Sequence, residues 1–243
     1  MLVDLSIRSR EPELMDDPTM DLSTLGTVFR DINLVNRLFN GTRITINAVD
    51  DLVKEHPKDS YTIIDMGCGD GNMLRQVALH FRKSKIKGQF IGIDLNENAL
   101  AMGRKLSNQF PEISFLKQNI LALDPSELDC DILLCTLTMH HFRDHQIPDF
   151  LGKFVQLSHL GVIINDLQRS RSSYYLFKAF RGIFLRTKIA KHDGLVSIKS
   201  GFSRAELEQF SRSMPQINHR IHWKWAFRYL WILHVNRLAN RDE

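Results

Sequence analysis

The sequence predicts an α/β fold, a mostly parallel sheet with helices on both faces. Three observations carry that prediction. Short apolar runs alternate with stretches whose apolar residues recur at helical spacing. One run breaks into clustered glycines where a strand would turn into a helix. The chain's 243 residues, 43% hydrophobic and 25% charged, are the make-up of one ordinary globular domain with ample core.

The elements follow in order. Residues 1–20 are polar, contain two prolines and read as a loose lead-in. From Asp21, residues Leu22, Leu25, Phe29, Ile32 and Val35 recur at helical steps until Asn40-Gly41 stops them. A second helix is expected from about Thr42 to Glu55, ended by Pro57. Tyr61–Met66 and Gln89–Asp94 read as buried strands. Each leads into a helical pattern, Met73, Leu74, Val77 and Phe81 after the first and about Glu97 to Asn108 after the second. Ile113–Leu116, Asp131–Thr136 and Gly161–Leu167 read as three more strands, with a helix around Ile147–Leu157 between the last two. Ser203-Arg-Ala-Glu206 offers a capping box for a helix reaching about Ser213. Gln216–Val235 fits a terminal strand pair, which brings the sheet to seven strands, although Trp223–Val235 also fits a helix. The expected division of this single domain is an N-terminal helical cap (1–58), a core (59–167), an insertion forming a lid (168–200) and a C-terminal helix with a strand pair (201–243).

The net charge of +4 is unevenly split. Residues 1–167 hold 17 Lys and Arg against 23 Asp and Glu, whereas residues 168–243 hold 15 against 5. The basic last third should face something acidic. The three cysteines, Cys68, Cys130 and Cys135, have no CxxC spacing, so neither a disulfide framework nor a zinc site is expected and a reducing cytoplasm fits. No bound metal is expected. No apolar run reaches spanning length, and the early Asp4, Glu11 and Glu13 do not suit a signal peptide.

The most informative string is Asp65-Met-Gly67-Cys68-Gly69-Asp-Gly71, between a buried strand and a helix. Glycines there let the backbone approach a ligand, and the helix start offers free N–H groups. The spacing is GxGxG, not the GxGxxG of a dinucleotide loop, and no G-K-[ST] follows. Asp94 ends the next strand, where a carboxylate can accept two hydrogen bonds from a ribose diol.

This string resembles motif I of the class I S-adenosylmethionine-dependent methyltransferases, which have a Rossmann-like fold. The resemblance implies S-adenosylmethionine as cofactor and S-adenosylhomocysteine as product. Asp65 would hold the methionyl amino group, with Gly67, Cys68, Gly69 and Gly71 passing under the ligand and Asp94 and Leu95 on the ribose. Asn119 and Ile120 stand where the family usually has an acidic residue near the adenine amine; an amide oxygen also accepts from that amine. Thr136, which ends the fourth strand, is a further candidate for cofactor binding. Arg43, like Arg37, is a candidate for the methionyl carboxylate or an exposed helix charge.

The string Thr136-Leu-Thr-Met-His140-His141-Phe142 is similar to endings in relatives acting on small molecules. The Asn/Asp-Pro-Pro-Tyr signature of amino-methylating enzymes is absent. Residues Glu11–Phe39, Asn165–Tyr175 and Ile198–Phe202 look like a bacterial subgroup linked to polyketide or quinone-type aromatic metabolism. An oxygen nucleophile needs its proton removed, and His140 or His141 is suited to take it; the alternative is that one of the pair packs or caps the loop. Asp166 is a further candidate base or a helix cap. Arg169, with Tyr174 and Tyr175, is a candidate for gripping the substrate. Residues 173–186 alternate Tyr174, Phe177, Phe180 and Phe184 with Lys178, Arg181 and Arg186, and read as a basic amphipathic lid that could also touch an anionic membrane surface. The expected activity is O-methylation of a small aromatic, phenolic or polyketide-like molecule. Carbon methylation of a quinone or lipid precursor and RNA methylation through the basic third are the alternatives. Nucleic acid is the less favoured partner, because no recognisable RNA module is present.

Overall fold

The computed structural model describes residues 3–235; the end of the expected C-terminal region, 236–243, lies outside them. Two helices come first, α1 (Leu22–Leu38) and α2 (Gly41–Glu55). Asp21 caps α1 by accepting from the backbone N–H groups of Ser23 and Thr24. Asn40 turns the chain between the helices in the left-handed region (φ 65°), which Asn tolerates.

The alternating core is β1 (Ser60–Met66), α3 (Asn72–Ser84), β2 (Lys87–Asp94), α4 (Glu97–Leu106), β3 (Ile113–Lys117), β4 (Cys130–Thr136), α5 (Ile147–Leu157) and β5 (Ser158–Leu167). After it come α6 (Arg171–Phe184), α7 (Lys188–Ser200), α8 (Arg204–Ser211), β6 (Asn218–Lys224) and β7 (Arg228–His234). The sheet order is β3-β2-β1-β4-β5-β7-β6. The first five strands run parallel, and β7 is antiparallel to both β5 and β6.

Strand alternation sorts the core onto two faces. Ile63, Phe90, Ile132 and Ile163 pack with Val49 and Leu52 of α2 and with Val77 and Phe81 of α3. Ile64, Leu133, Val162 and Trp231 pack with Phe150 and Phe154 of α5 and with Leu207 of α8. No helix among the described residues is long and apolar enough to cross a membrane.

The terminal segment is the expected strand pair and not the alternative helix: β6 and β7 pair over seven positions, and β7 is buried along nearly its whole length. Three features depart from the sequence reading. The insertion holds two helices, not one. The second, α7, buries Asp193 and Ser200 beside Ala190, Val196 and Ile198, a mixed face without a clean apolar stripe. On α6 the expected Phe177 and Phe180 line the interior cavity, but with Ser173 and Leu176 in place of Tyr174, and Tyr175 is exposed.

The N-terminal lead-in, finally, is fastened down. The Arg8 guanidinium donates to the carbonyls of Ser200, His140 and Phe142 and pairs with Asp144. It also stacks 4.1 Å over the Phe202 ring. The buried Asp193 carboxylate accepts from the N–H groups of Leu14 and Met15. None of these contacts is with a nearby residue, so local composition does not announce them.

Candidate active site

The C-terminal ends of β1, β4 and β5 meet at one edge of the sheet, as open α/β folds require of a ligand site. Because β7 runs antiparallel, its first residue, Arg228, reaches the same edge opposite Leu167. A single cavity of 460 Å³ runs along this edge, bounded above by α1, the strap around Glu13 and the α6–α7 pair.

At one end the glycine loop is as expected. Gly67 adopts φ +72°, and a Cβ there would come within 2.3 Å of the Thr138 side chain. The Gly67 and Cys68 N–H groups bond to the Ile93 carbonyl, which locks the loop onto β2. Gly67, Cys68 and Gly69 line the cavity; Gly71 does not, serving instead as the N-cap of α3.

Asp65 is buried, and its Oδ1 has no hydrogen-bond partner. Burial and the nearby Asp94 push its pKa well above the usual carboxylate range. An ammonium group would satisfy this orphaned oxygen. Burial also raises the Asp94 pKa, against opposing N–H donors: its carboxylate accepts from Gly69 N (2.8 Å) and Asn96 N (2.9 Å), and its remaining lone pairs face the cavity. Leu95, Asn119, Ile120 and Thr136 line the same end. The Asn119 oxygen already accepts from Leu121 N and keeps one lone pair. These groups fit the expected cofactor's ammonium, diol and adenine.

In the middle, the chain leaves β4 through Leu137 in the left-handed region (φ 54°) and enters a short turn holding both histidines. His140 is buried between two acids, its Nδ1 2.7 Å from Asp166 Oδ1 and its Nε2 3.2 Å from Glu13 Oε1. Burial alone would depress its pKa. The two carboxylates outweigh burial and hold it at about 10. Asp166 and Glu13 are in turn held below the usual range, because burial is overcome by His140. Asp166 also accepts from the N–H groups of His140 and Leu167, and Glu13 from Ser197 Oγ. His140 is therefore an imidazolium at neutral pH with both ring nitrogens engaged.

The His141 ring stacks on it at 4.4 Å. His141 is part-exposed to the cavity, and its Nδ1 lies 3.2 Å from Asp16. Ligand atoms of Glu13, His140 and His141 lie within 4.8 Å of one another, close enough to hold a metal ion. An ion there would have to displace the proton that His140 shares with Glu13, whereas the protonated ring accounts for the arrangement by itself.

Arg43, Arg169, Tyr174 and Tyr175 are expected at the cavity but do not line it. Arg43 is exposed. Arg169 is buried away from it, its guanidinium saturated by the Leu5 and Gly201 carbonyls and a two-pronged pair with Glu206. Tyr174 and Tyr175 lie on the outer side of α6, where the Tyr175 hydroxyl accepts from Val3 N. Arginine's long reach lets tertiary contacts decide its partner, so sequence position alone misplaces it. The sequence reading missed Glu13, Asp16, Asn36 and Arg228. None has a local signal, since each reaches the site across a long stretch of chain.

A family model described as a methyltransferase domain matches residues 63–159. Among solved structures, the plantazolicin methyltransferase BpumL in complex with SAH superposes with a TM-score of 0.66 at 16% identity, covering 90% of this chain and 91% of that one. Magnesium protoporphyrin IX methyltransferase (ChlM) from Synechocystis PCC 6803 with bound SAH gives 0.58 at 13% identity, covering 88% and 95%. The methyltransferase domain of a bacterial protein, CtHen1, gives 0.58 at 15% identity, covering 81% and 100%. A comparison with curated proteins finds no match.

Proposed function

We propose that the chain is an S-adenosylmethionine-dependent methyltransferase that methylates an oxygen of a small aromatic, phenolic or polyketide-like molecule, with His141 removing the proton; the methyltransferase-domain match over residues 63–159 and the shared fold support this reading. The observation that carries this reading is the single cavity, which joins the Asp65–Asp94 end to an apolar end lined by Phe39, Phe177 and Phe180. When bound, S-adenosylmethionine supplies a methyl group already activated by the sulfonium. The protein's task is then alignment, exclusion of water and proton removal.

Asp65 takes the methionyl ammonium, restoring a charge partner to a carboxylate that burial otherwise keeps from ionising. Asp94 takes the ribose diol, and Leu95, Asn119 and Ile120 frame the adenine. His141 directs Nδ1–H to Asp16 and so presents Nε2 as the proton acceptor. His140 is not the base in this reading, because it already holds its proton. Asp166 and His140 are positioning residues, fixing the turn from which His141 projects. The aromatic side chains of α6 cover the substrate and keep water out.

The test is a turnover assay, reading S-adenosylhomocysteine release with a panel of phenols. His141→Ala lowers kcat by about 100-fold or more, the usual worth of general-base catalysis, and leaves the affinity for S-adenosylhomocysteine within about twofold. Equal turnover in the variant would remove His141 from the chemistry.

A further inference from the structure

The observation that the mechanism leaves unused is Arg228. Its side chain lines the cavity, only 3% of the residue is exposed, and its Nε and Nη1 are buried without a hydrogen-bond partner. It forms no salt bridge among the described residues. The nearest acid, Asp166, commits its oxygens to His140 and Leu167, and Glu206 is taken by Arg169. The space for the guanidinium is built in: a Cβ at Gly41 would lie 2.8 Å from its central carbon. The Asn36 carboxamide, whose Oδ1 also has no partner, borders the same space and by rotating can offer its N–H₂. Leaving a buried cation unpaired is costly, and a fold that keeps one facing a cavity gains from a ligand that neutralises it.

We infer that Arg228 is an anion-binding subsite for the methyl acceptor, and that the acceptor is an aromatic acid whose carboxylate docks on this guanidinium. A carboxylate is the matching class because one planar fork carries one charge and meets two coplanar oxygens. The body that goes with it is apolar, since Leu167 and Phe227 beside Arg228 line the cavity, as do Phe39, Leu176 and Phe180. The subsite lies on the acceptor side. In the sheet order, β7 is three strands from β1, about 14 Å from the glycine loop at ordinary strand spacing. The inference rests on the methyl-transfer reading, which makes the Asp65–Asp94 end the cofactor half.

The experiment is calorimetry on the whole protein saturated with S-adenosylhomocysteine. The probes are benzoate, 2-naphthoate and 4-hydroxybenzoate, each paired with its neutral amide. At least one acid should bind about tenfold more tightly than its amide, the worth of a charge-assisted hydrogen bond. Arg228→Met, which keeps the side chain's bulk, should erase that preference, and Arg228→Lys should keep part of it. Circular dichroism verifies that both variants fold, and the lysine variant stands in if the methionine variant does not. The inference is overturned if no acid is preferred, or if the preference survives in Arg228→Met. It is also overturned if the variant loses affinity for S-adenosylhomocysteine but not for 5′-methylthioadenosine, because the anion would then be the cofactor's own carboxylate. Failure of the wild type to bind S-adenosylhomocysteine sinks the methyl-transfer reading itself, so the two failures are distinguishable.

Discussion

Asp166→Asn is expected to destabilise the folded chain by about 3–5 kcal/mol, the cost of breaking a buried charge pair by removing one partner. The reason lies in the Glu13–His140–Asp166 row, where all three side chains are buried. The amide leaves the His140 imidazolium with one carboxylate in place of two. The same row dictates a pH dependence. His140 titrates at about 10 in the folded chain and near 6.5 when unfolded, so it binds its proton more tightly in the native state. Its contribution is fully present below about pH 6.5 and is lost as the pH rises toward about 10. Asp166 and Glu13 have depressed values, so their contribution is present above the ordinary carboxylate range and is lost as the pH falls through it. Urea unfolding of the wild type should therefore show stability falling by a few kcal/mol across the alkaline window, with a shallower fall in Asp166→Asn. A wild type equally stable at both ends of that window would show that His140 is not the shared cation.

Asp94→Ala is expected to weaken S-adenosylhomocysteine binding by about 100-fold, or about 3 kcal/mol. Hydrogen bonds to a charged acceptor contribute about 1.5–3 kcal/mol each, and the ribose diol can donate two. The carboxylate has a second duty, since Oδ2 holds Gly69 N at 2.8 Å. Asp94→Asn should fall between the two, because its carboxamide oxygen still receives one donor. Calorimetry with the three proteins reads this directly, and an alanine variant binding like the wild type would remove the ribose contact from the account.

The proposed cofactor half was legible in the sequence because its residues lie close together in the chain. Asp65, Gly67 and Gly69 lie within a few residues of one strand–turn–helix, and Asp94 ends the neighbouring strand, so spacing alone brings them together. The two histidines were legible as a pair but not as individuals. Only the tertiary fold brings Glu13 and Asp166 to the two ring nitrogens of His140, which makes it a locked cation and leaves His141 facing the cavity. The proposed acceptor half was largely illegible. Arg169 looked free and is saturated; Arg228, in a segment whose secondary structure was ambiguous, is the unpaired one. On α6 the aromatic spacing was read correctly, but the inward side carries Leu176 and not Tyr174, because the strap and α7 decide which side is covered. The basic excess of the last third has a similar history. Arg169 and Arg228 carry some of it into the interior of the fold, while Lys178, Arg181, Lys188, Lys191 and Lys199 ring a hollow between α6 and α7.

The central claim is that one cavity holds the cofactor at the Asp65–Asp94 end and the methyl acceptor at the Phe177–Arg228 end, with His141 between them. A crystal structure of the complex with S-adenosylhomocysteine tests it most directly. The account predicts the ribose diol on Asp94, the ammonium beside Asp65 and the sulfur turned toward His141, with open space left between it and Arg228. A ligand whose ribose lies away from Asp94, or whose sulfur faces away from His141, would contradict it.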